Sequence, residues 1–286
     1  MPNPIQLLAI DIDGTLLDSA GRLPPAHREA VADAAGAGIA VVLATGRALH
    51  FTKPVAAALA VPVALLVNNG AVVRSADGHA AIRSSLPREI ARAILAETMT
   101  FGDSVALVFD RDDDRQIVFD AMDWSHPNRR GYYRVNRDFL SKAPLDEALA
   151  EDPIQLMFNG SVEPMRALCA TLKGLSLASR FTVAITEYEA RDFALVDVNA
   201  PGCSKGATLA RWAAGLGLRR EQVMAVGDNL NDLEMLEFAG TAVVMGNGVE
   251  ALKRRGFPIV ASHDHDGLAV AIREFALADR PQPDRA

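Results

Sequence analysis

Short, densely apolar runs alternate along this chain with amphipathic stretches, and each run stops at small or polar residues. Residues 5–10, 39–44, 63–67 and 222–226 are nearly continuous in Leu, Ile, Val and Ala, and a further run covers 241–245. Apolar runs of this length, not alternating with polar residues, predict strands buried on both faces of a parallel sheet. The first two are separated by a helical stretch that opens at Pro24-Pro25 and ends near Gly36 to Gly38. Proline in the first turn and glycine past the last is the expected polarity of a helix. Further helices are expected from after Arg47 to about Ala60, interrupted or kinked near Pro54, and from Lys205 to about Leu216. Others follow Asp228 to Ala239 and start at Gly267, with a short strand at 259–261 between them. Strand alternating with helix is the grammar of a sheet with crossover helices.

The pattern changes near Ser84. A helix at 87–99 and paired strands at 105–109 and 116–119 are followed by a long polar stretch, 124–140. That stretch holds Trp124, His126, Arg129, Arg130, Tyr132, Tyr133 and Arg134. Strand signals resume at 154–158, 181–186 and 193–198, with a helix at 163–172. Paired strands with few crossovers predict an α+β module on an antiparallel sheet. The fold class expected is therefore α/β: a doubly wound, parallel-sheet, Rossmann-like core over 1–83 and 190–286, with an inserted α+β domain over 84–189.

The chain has 286 residues, 50% hydrophobic and 23% charged, with a net charge of −7. The acidic balance argues against a nucleic-acid groove or an anionic membrane surface as partner. No apolar run approaches the roughly 20 residues that span a bilayer. Cys169 and Cys203 form no metal-binding spacing, so reduced thiols in a cytoplasmic protein, monomer or homodimer, are expected. The run Asp110 to Arg115 is expected as a solvated hairpin turn and residues 280–286 as a loose tail. His263-Asp-His-Asp266 precedes a helix, where Asp264 or Asp266 would serve as caps.

Candidate chemistry gathers at the ends of the runs. Asp11 and Asp13 follow the first strand, and residues i and i+2 of an extended chain point the same way. By itself this is either an ordinary Asp-Gly turn or a pair of acids that needs a cation between them. Thr45, Lys205, Asp228, Asn231 and Asp232 occupy the other strand and helix ends. Carboxylate oxygens with no histidine or cysteine among them suit Mg2+. A lysine and a hydroxyl beside that ion can neutralise a transferring phosphoryl group, so the residue types together read as phosphoryl transfer.

Asp11-Ile-Asp13-Gly-Thr-Leu, Thr45-Gly46-Arg47, Cys-Ser-Lys205-Gly and Gly227-Asp228-Asn-Leu-Asn231-Asp232 resemble, in order, the four motifs of the haloacid dehalogenase-like superfamily. Asn68-Asn-Gly-Ala71 and Met245-Gly-Asn-Gly248 are similar to its Cof-type branch, whose class IIB α/β cap is inserted between the second and third motifs. The resemblance implies a Mg2+-dependent phosphatase acting on a small phosphorylated metabolite through an aspartyl phosphate. Asp11 would be nucleophile and metal ligand, and Asp13 general acid/base, with its backbone carbonyl a second ligand. Thr45, Gly46 and Lys205 would hold the phosphoryl group, Asp228 would bind the metal, and Asn231 and Asp232 would support both. Related P-type ATPases carry threonine where this chain has Asp13, so an acid there implies fast turnover of the phosphoenzyme. A phosphomutase and a non-catalytic regulatory protein on the same fold are the alternatives. The 124–134 segment either closes over the site or packs on the sheet of the insertion.

Overall fold

The computed structural model describes residues 4–111 and 115–278. Residues 112–114 of the expected hairpin turn and the expected tail at 280–286 lie outside them. The chain divides into two compact units, Met1–Ile82 with Ser204–Ala286, and Arg83–Cys203.

The first unit is built on strands β1 (Leu7–Ile10), β2 (Ala40–Ala44), β3 (Val63–Val67), β4 (Val72–Arg74) and β5 (Ala80–Arg83). The second contributes β6 (Val105–Val108), β7 (Ile117–Phe119), β8 (Leu140–Lys142), β9 (Gln155–Gly160), β10 (Thr182–Tyr188) and β11 (Phe193–Asn199). The chain then returns to the first unit with β12 (Val223–Gly227) and β13 (Thr241–Val244).

The first sheet runs β13-β12-β1-β2-β3-β4-β5. Its five-strand section from β13 to β3 is parallel, with Ala9 opposite both Val42 and Ala225, and β4 turns back antiparallel on β3. β1 lies at the centre, and Leu7, Leu8, Ala9 and Ile10 are fully buried. Each such Leu or Ile contributes about 2 kcal/mol by leaving water. This is why the strand tolerates no polar residue until Asp11, where the chain leaves the sheet at its carboxyl end, the edge at which open α/β sheets bind ligands.

Helices Pro25–Gly36, Leu49–Leu59, Lys205–Gly215 and Leu233–Phe238 supply the crossovers. Pro54 sits inside the second without ending it. Residues 259–261 do not form the expected strand; Ile259 makes only an isolated bridge to Val244. β4 and β5 were not expected: they are three and four residues long, and β5 is largely exposed, so neither leaves an apolar run.

The second unit is a six-stranded sheet ordered β10-β11-β9-β6-β7-β8, antiparallel except for the parallel β7–β8 pair. Helices Arg88–Glu97 and Val162–Gly174 cover one face, burying Ile90, Ile94, Met165 and Leu168 against Leu107, Leu156, Phe158 and Val196. The second unit runs on to Cys203, past the boundary expected after residue 189. β11 is an apolar run like those of the first sheet, but it pairs in full register with β10, from Thr182 opposite Asn199 to Tyr188 opposite Phe193, and then with β9.

The 124–140 stretch is not structureless: it contains the helix Arg130–Asn136 and leads into β8. Trp124 packs edge-on against Phe119 at 5.4 Å and stacks on Tyr132 at 5.9 Å. The buried guanidinium of Arg129 donates to Asn159 Oδ1 at 2.9 Å and Ser104 Oγ at 2.7 Å. These contacts pack the segment on its own sheet.

Candidate active site

Every polar group singled out at a strand or helix end of the first unit is placed by the parallel section of its sheet or by a helix that covers it. Asp11 follows β1, and its backbone N–H still donates to Val226 O of β12 at 3.1 Å. Lys205 opens its helix behind Ser204, whose hydroxyl caps it by accepting from the Ala207 N–H at 3.1 Å. Asp228 and Asp232 flank the turn after β12.

Lys205 is buried, and its Nζ donates to Asp11 Oδ1 at 2.7 Å and to Asp232 Oδ1 at 2.6 Å. Asp232 is fully buried, and its other oxygen, Oδ2, accepts from the backbone N–H of Asp228 at 2.9 Å and of Asn229 at 3.0 Å. One carboxylate therefore holds both the ammonium and the loop that carries Asp228. Thr15 Oγ1 donates to Asp228 Oδ1 at 3.1 Å.

Three buried carboxylates, Asp11, Asp228 and Asp232, bring oxygens within 4.8 Å of one another. Lys205 balances only part of that charge. Burial, and then the neighbouring charge of Asp232, pushes Asp11 up to about 7 in spite of the lysine. Burial, followed by Asp11 and Asp232, raises Asp228 well above the usual carboxylate range. Burial alone would depress Lys205, but Asp11 and Asp232 outweigh it and hold the ammonium above its ordinary value. Hard oxygens, carboxylates destabilised by mutual repulsion and the absence of nitrogen or sulfur donors in the cluster fit a magnesium ion.

Asp13 is not part of that cluster. Its carboxylate is gripped by Arg47, Nε on Oδ2 at 2.7 Å and Nη2 on Oδ1 at 2.6 Å. Thr45 is buried after β2, and its Oγ1 accepts from the Arg47 N–H at 3.1 Å. Gly46 lies against the side chain of Asn69, and Asn231 Nδ2 donates to Asn69 Oδ1 at 3.0 Å. Asn247 Nδ2 donates to Gly14 O at 2.8 Å, while its Oδ1 accepts from the His263 N–H at 2.9 Å.

Thr15, Arg47, Asn69 and Asn247 lie inside the motifs with no role assigned from sequence; the signal for each is a polar residue beside a strand end. The residues 263–266 depart from expectation. Asp266 precedes the helix Gly267–Ala271 but makes no side-chain cap to it, and Asp264 Oδ1 instead accepts from the Ser19 N–H at 2.8 Å. Cys203 is buried. Among the described residues no helix is long and apolar enough to cross a membrane.

The sequence profile of the haloacid dehalogenase-like hydrolases matches residues 8–272. The chain belongs to that family. It is 28% identical over 273 residues to the 5-amino-6-(5-phospho-D-ribitylamino)uracil phosphatase YcsE of Bacillus subtilis, covering 96% of each chain. It is 29% identical to the pyridoxal phosphate phosphatase YbhA of Escherichia coli, covering 92% of this chain and 96% of that one. A solved haloacid dehalogenase-like hydrolase from B. subtilis superposes with a TM-score of 0.80 at 23% identity, covering 95% and 100% of the two chains. The parallel-sheet core and the α+β insertion between β5 and the Lys205 helix agree with a Cof-type member of the family carrying a class II cap.

Proposed function

We propose that the protein is a magnesium-dependent phosphatase that hydrolyses small phosphomonoesters, sugar phosphates or related metabolites, through an aspartyl phosphate on Asp11. The observation that carries this reading is the Asp11 carboxylate, buried in a cluster of acids, with Lys205 on one of its oxygens.

Asp11 attacks phosphorus and forms an acyl phosphate as the ester oxygen leaves. Asp13 gives that oxygen a proton, so an alcohol departs. Asp13 then takes a proton from water, which attacks the same phosphorus and returns Asp11 as carboxylate with inorganic phosphate released. Arg47 holds Asp13 in one orientation through both steps. Lys205, Thr45, the Gly46 backbone and Asn231 bind the phosphoryl oxygens. Asp11, Asp228 and the Asp13 backbone carbonyl would hold magnesium, which supplies positive charge to the nucleophile and the phosphoryl oxygens when bound. Both oxygens of Asp232 are already engaged, so its role is to fix Lys205 and the Asp228 loop.

YcsE and YbhA are both phosphatases of small phosphorylated metabolites, which supports the substrate class. The net charge of −7 supports a small-molecule partner over nucleic acid, and a cytoplasmic setting fits both. The test is phosphate release from a panel of phosphorylated metabolites by the purified protein, with magnesium or with chelator, beside Asp11→Asn. Magnesium-dependent release that the substitution abolishes is expected. Release that survives Asp11→Asn, or none from the wild-type protein across the panel, sinks the reading.

A further inference from the structure

The chain after β3 passes through three consecutive residues with positive φ: Asn68 at 50°, Asn69 at 52° and Gly70 at 97°. Left-handed backbone is crowded for any residue with a Cβ, although asparagine tolerates it better than most. Gly70 has a steric reason to be glycine, since a Cβ there would fall 2.5 Å from Ser204 O and 2.6 Å from Thr208 Oγ1. At 69 a glycine would relieve the backbone, yet the chain carries asparagine.

The side chain explains the choice. Asn69 is 1% exposed. Its Oδ1 accepts from Asn231 Nδ2 at 3.0 Å, across 162 residues of sequence. Its backbone N–H donates to Thr45 O at 3.0 Å, and the preceding N–H, of Asn68, donates to Arg47 O at 3.0 Å. A Cβ on Gly46 would sit 3.2 Å from Asn69 Nδ2 and 3.3 Å from its Oδ1, so the end of the amide packs against the Thr45-Gly46-Arg47 turn. Farther along, Thr208 Oγ1 donates to Gly70 O at 3.0 Å, which ties the same turn to the helix that Lys205 opens. Thus the turn is bonded through its backbone to the loop after β2, its buried amide packs on that loop and bonds to the loop after β12, and its last residue is moored to the helix that Lys205 opens.

We infer that Asn69 is a positioning residue that fixes the distance between Thr45 and Asn231, and so the width of the pocket for the phosphoryl oxygens. This rests on the phosphatase reading for its substrate but not for its geometry. A backbone-strained residue retained for its side chain belongs with other strained residues held at functional sites.

The decisive variant is Asn69→Gly, which fits the left-handed backbone and removes the side-chain amide that bridges to Asn231. Its melting temperature is expected to equal or exceed that of the wild type. Its KM for p-nitrophenyl phosphate and its inhibition constant for inorganic phosphate should rise together, by roughly ten- to a hundredfold, the scale of small misplacements in a bound reactant. Gly46→Ala, which presses on the same amide from the other side, should move both constants in the same direction. Asn231→Ala removes a phosphoryl ligand together with the bridge, so both constants should rise at least as far as in Asn69→Gly, and adding Asn69→Gly to it should raise them little further. Asn69→Asp keeps the acceptor but sets a negative charge beside the anion, and should bind phosphate less well than Asn69→Gly.

A role confined to holding the fold would lower the melting temperature and the active fraction with KM unchanged. That outcome, or wild-type constants in Asn69→Gly, overturns the inference. Calorimetric titration with inorganic phosphate separates the two proposals. If the wild type binds phosphate but hydrolyses no ester, the function fails while the Asn69 comparison still stands. If it binds no phosphate, the positioning role is overturned as well.

Discussion

Arg47 and Asp13 face each other as a fork on a carboxylate, with both donor–acceptor distances, 2.7 and 2.6 Å, at the short end for a charged pair. The pair is partly exposed, so its contribution to stability is small, and its value is directional: Asp13 is held in one rotamer. Arg47→Lys keeps the charge and loses the fork. Turnover by Arg47→Lys is expected to fall at least about tenfold, with the melting temperature within a few degrees of wild type. Steady-state kinetics beside a thermal melt checks this, and unchanged kcat would show that Asp13 needs no such guide.

Lys205 pairs with Asp11 and Asp232 at once from a site with 1% of its side chain exposed. Removing one member of a buried ionic group leaves the others uncompensated, so Lys205→Met should cost the metal-free protein about 3–5 kcal/mol. Denaturant unfolding measures it. Asp232→Asn should cost less, because the amide oxygen can still accept from the Asp228 and Asn229 N–H groups.

Metal and pH act on the same carboxylates. Asp11 titrates near 7 in the folded protein and near 3.8 when unfolded, so the folded state binds the extra proton between those values. Stability from this group is therefore present at low pH and is lost as pH rises toward 7. With chelator present, the melting temperature at pH 5.5 should exceed that at pH 7.5. Millimolar magnesium should raise it more at pH 7.5 than at 5.5, because proton and cation compete for the same oxygens. A flat or reversed profile in chelator contradicts the clustering of charge.

Gly14 has φ 87°, and a Cβ there would lie 2.9 Å from Oδ1 of Asp228 and closer still to its Oδ2. Gly14→Ala should lose stability by about 1–2 kcal/mol from the backbone alone and displace the Asp228 carboxylate. Phosphate release at low magnesium is expected to fall first and to recover partly at high magnesium. A titration with the metal distinguishes this from simple misfolding.

Strands buried on both faces were legible because burial on two sides leaves no room for polar alternation, as β1, β2, β3 and β12 show. Their polar ends were legible for the complementary reason, that the core stops where the sheet edge begins. β8 and the Arg130–Asn136 helix were not, because their residues are mostly exposed and carry no period. β11 was legible as a paired strand, but the boundary expected after residue 189 falls before it, whereas its pairing with β10 and β9 keeps it in the second unit. What sequence could not supply is who meets whom. Arg47 with Asp13 and Asn69 with Asn231 are pairings across 34 and 162 residues, and spacing along the chain does not encode them.

The central place of β1 has a consequence for biosynthesis. β1 needs β2 on one side and β12 on the other, and β12 begins at Val223, after the whole second unit. At ordinary ribosome speeds of about 5–20 residues per second, the strand that leads to Asp11 waits roughly 10 to 40 seconds with one edge open. The insertion can fold as a unit in that interval, and the charged cluster around Asp11 is assembled only when Lys205, Asp228 and Asp232 have left the exit tunnel. The earliest-made element of this enzyme is thus the last to become chemically competent.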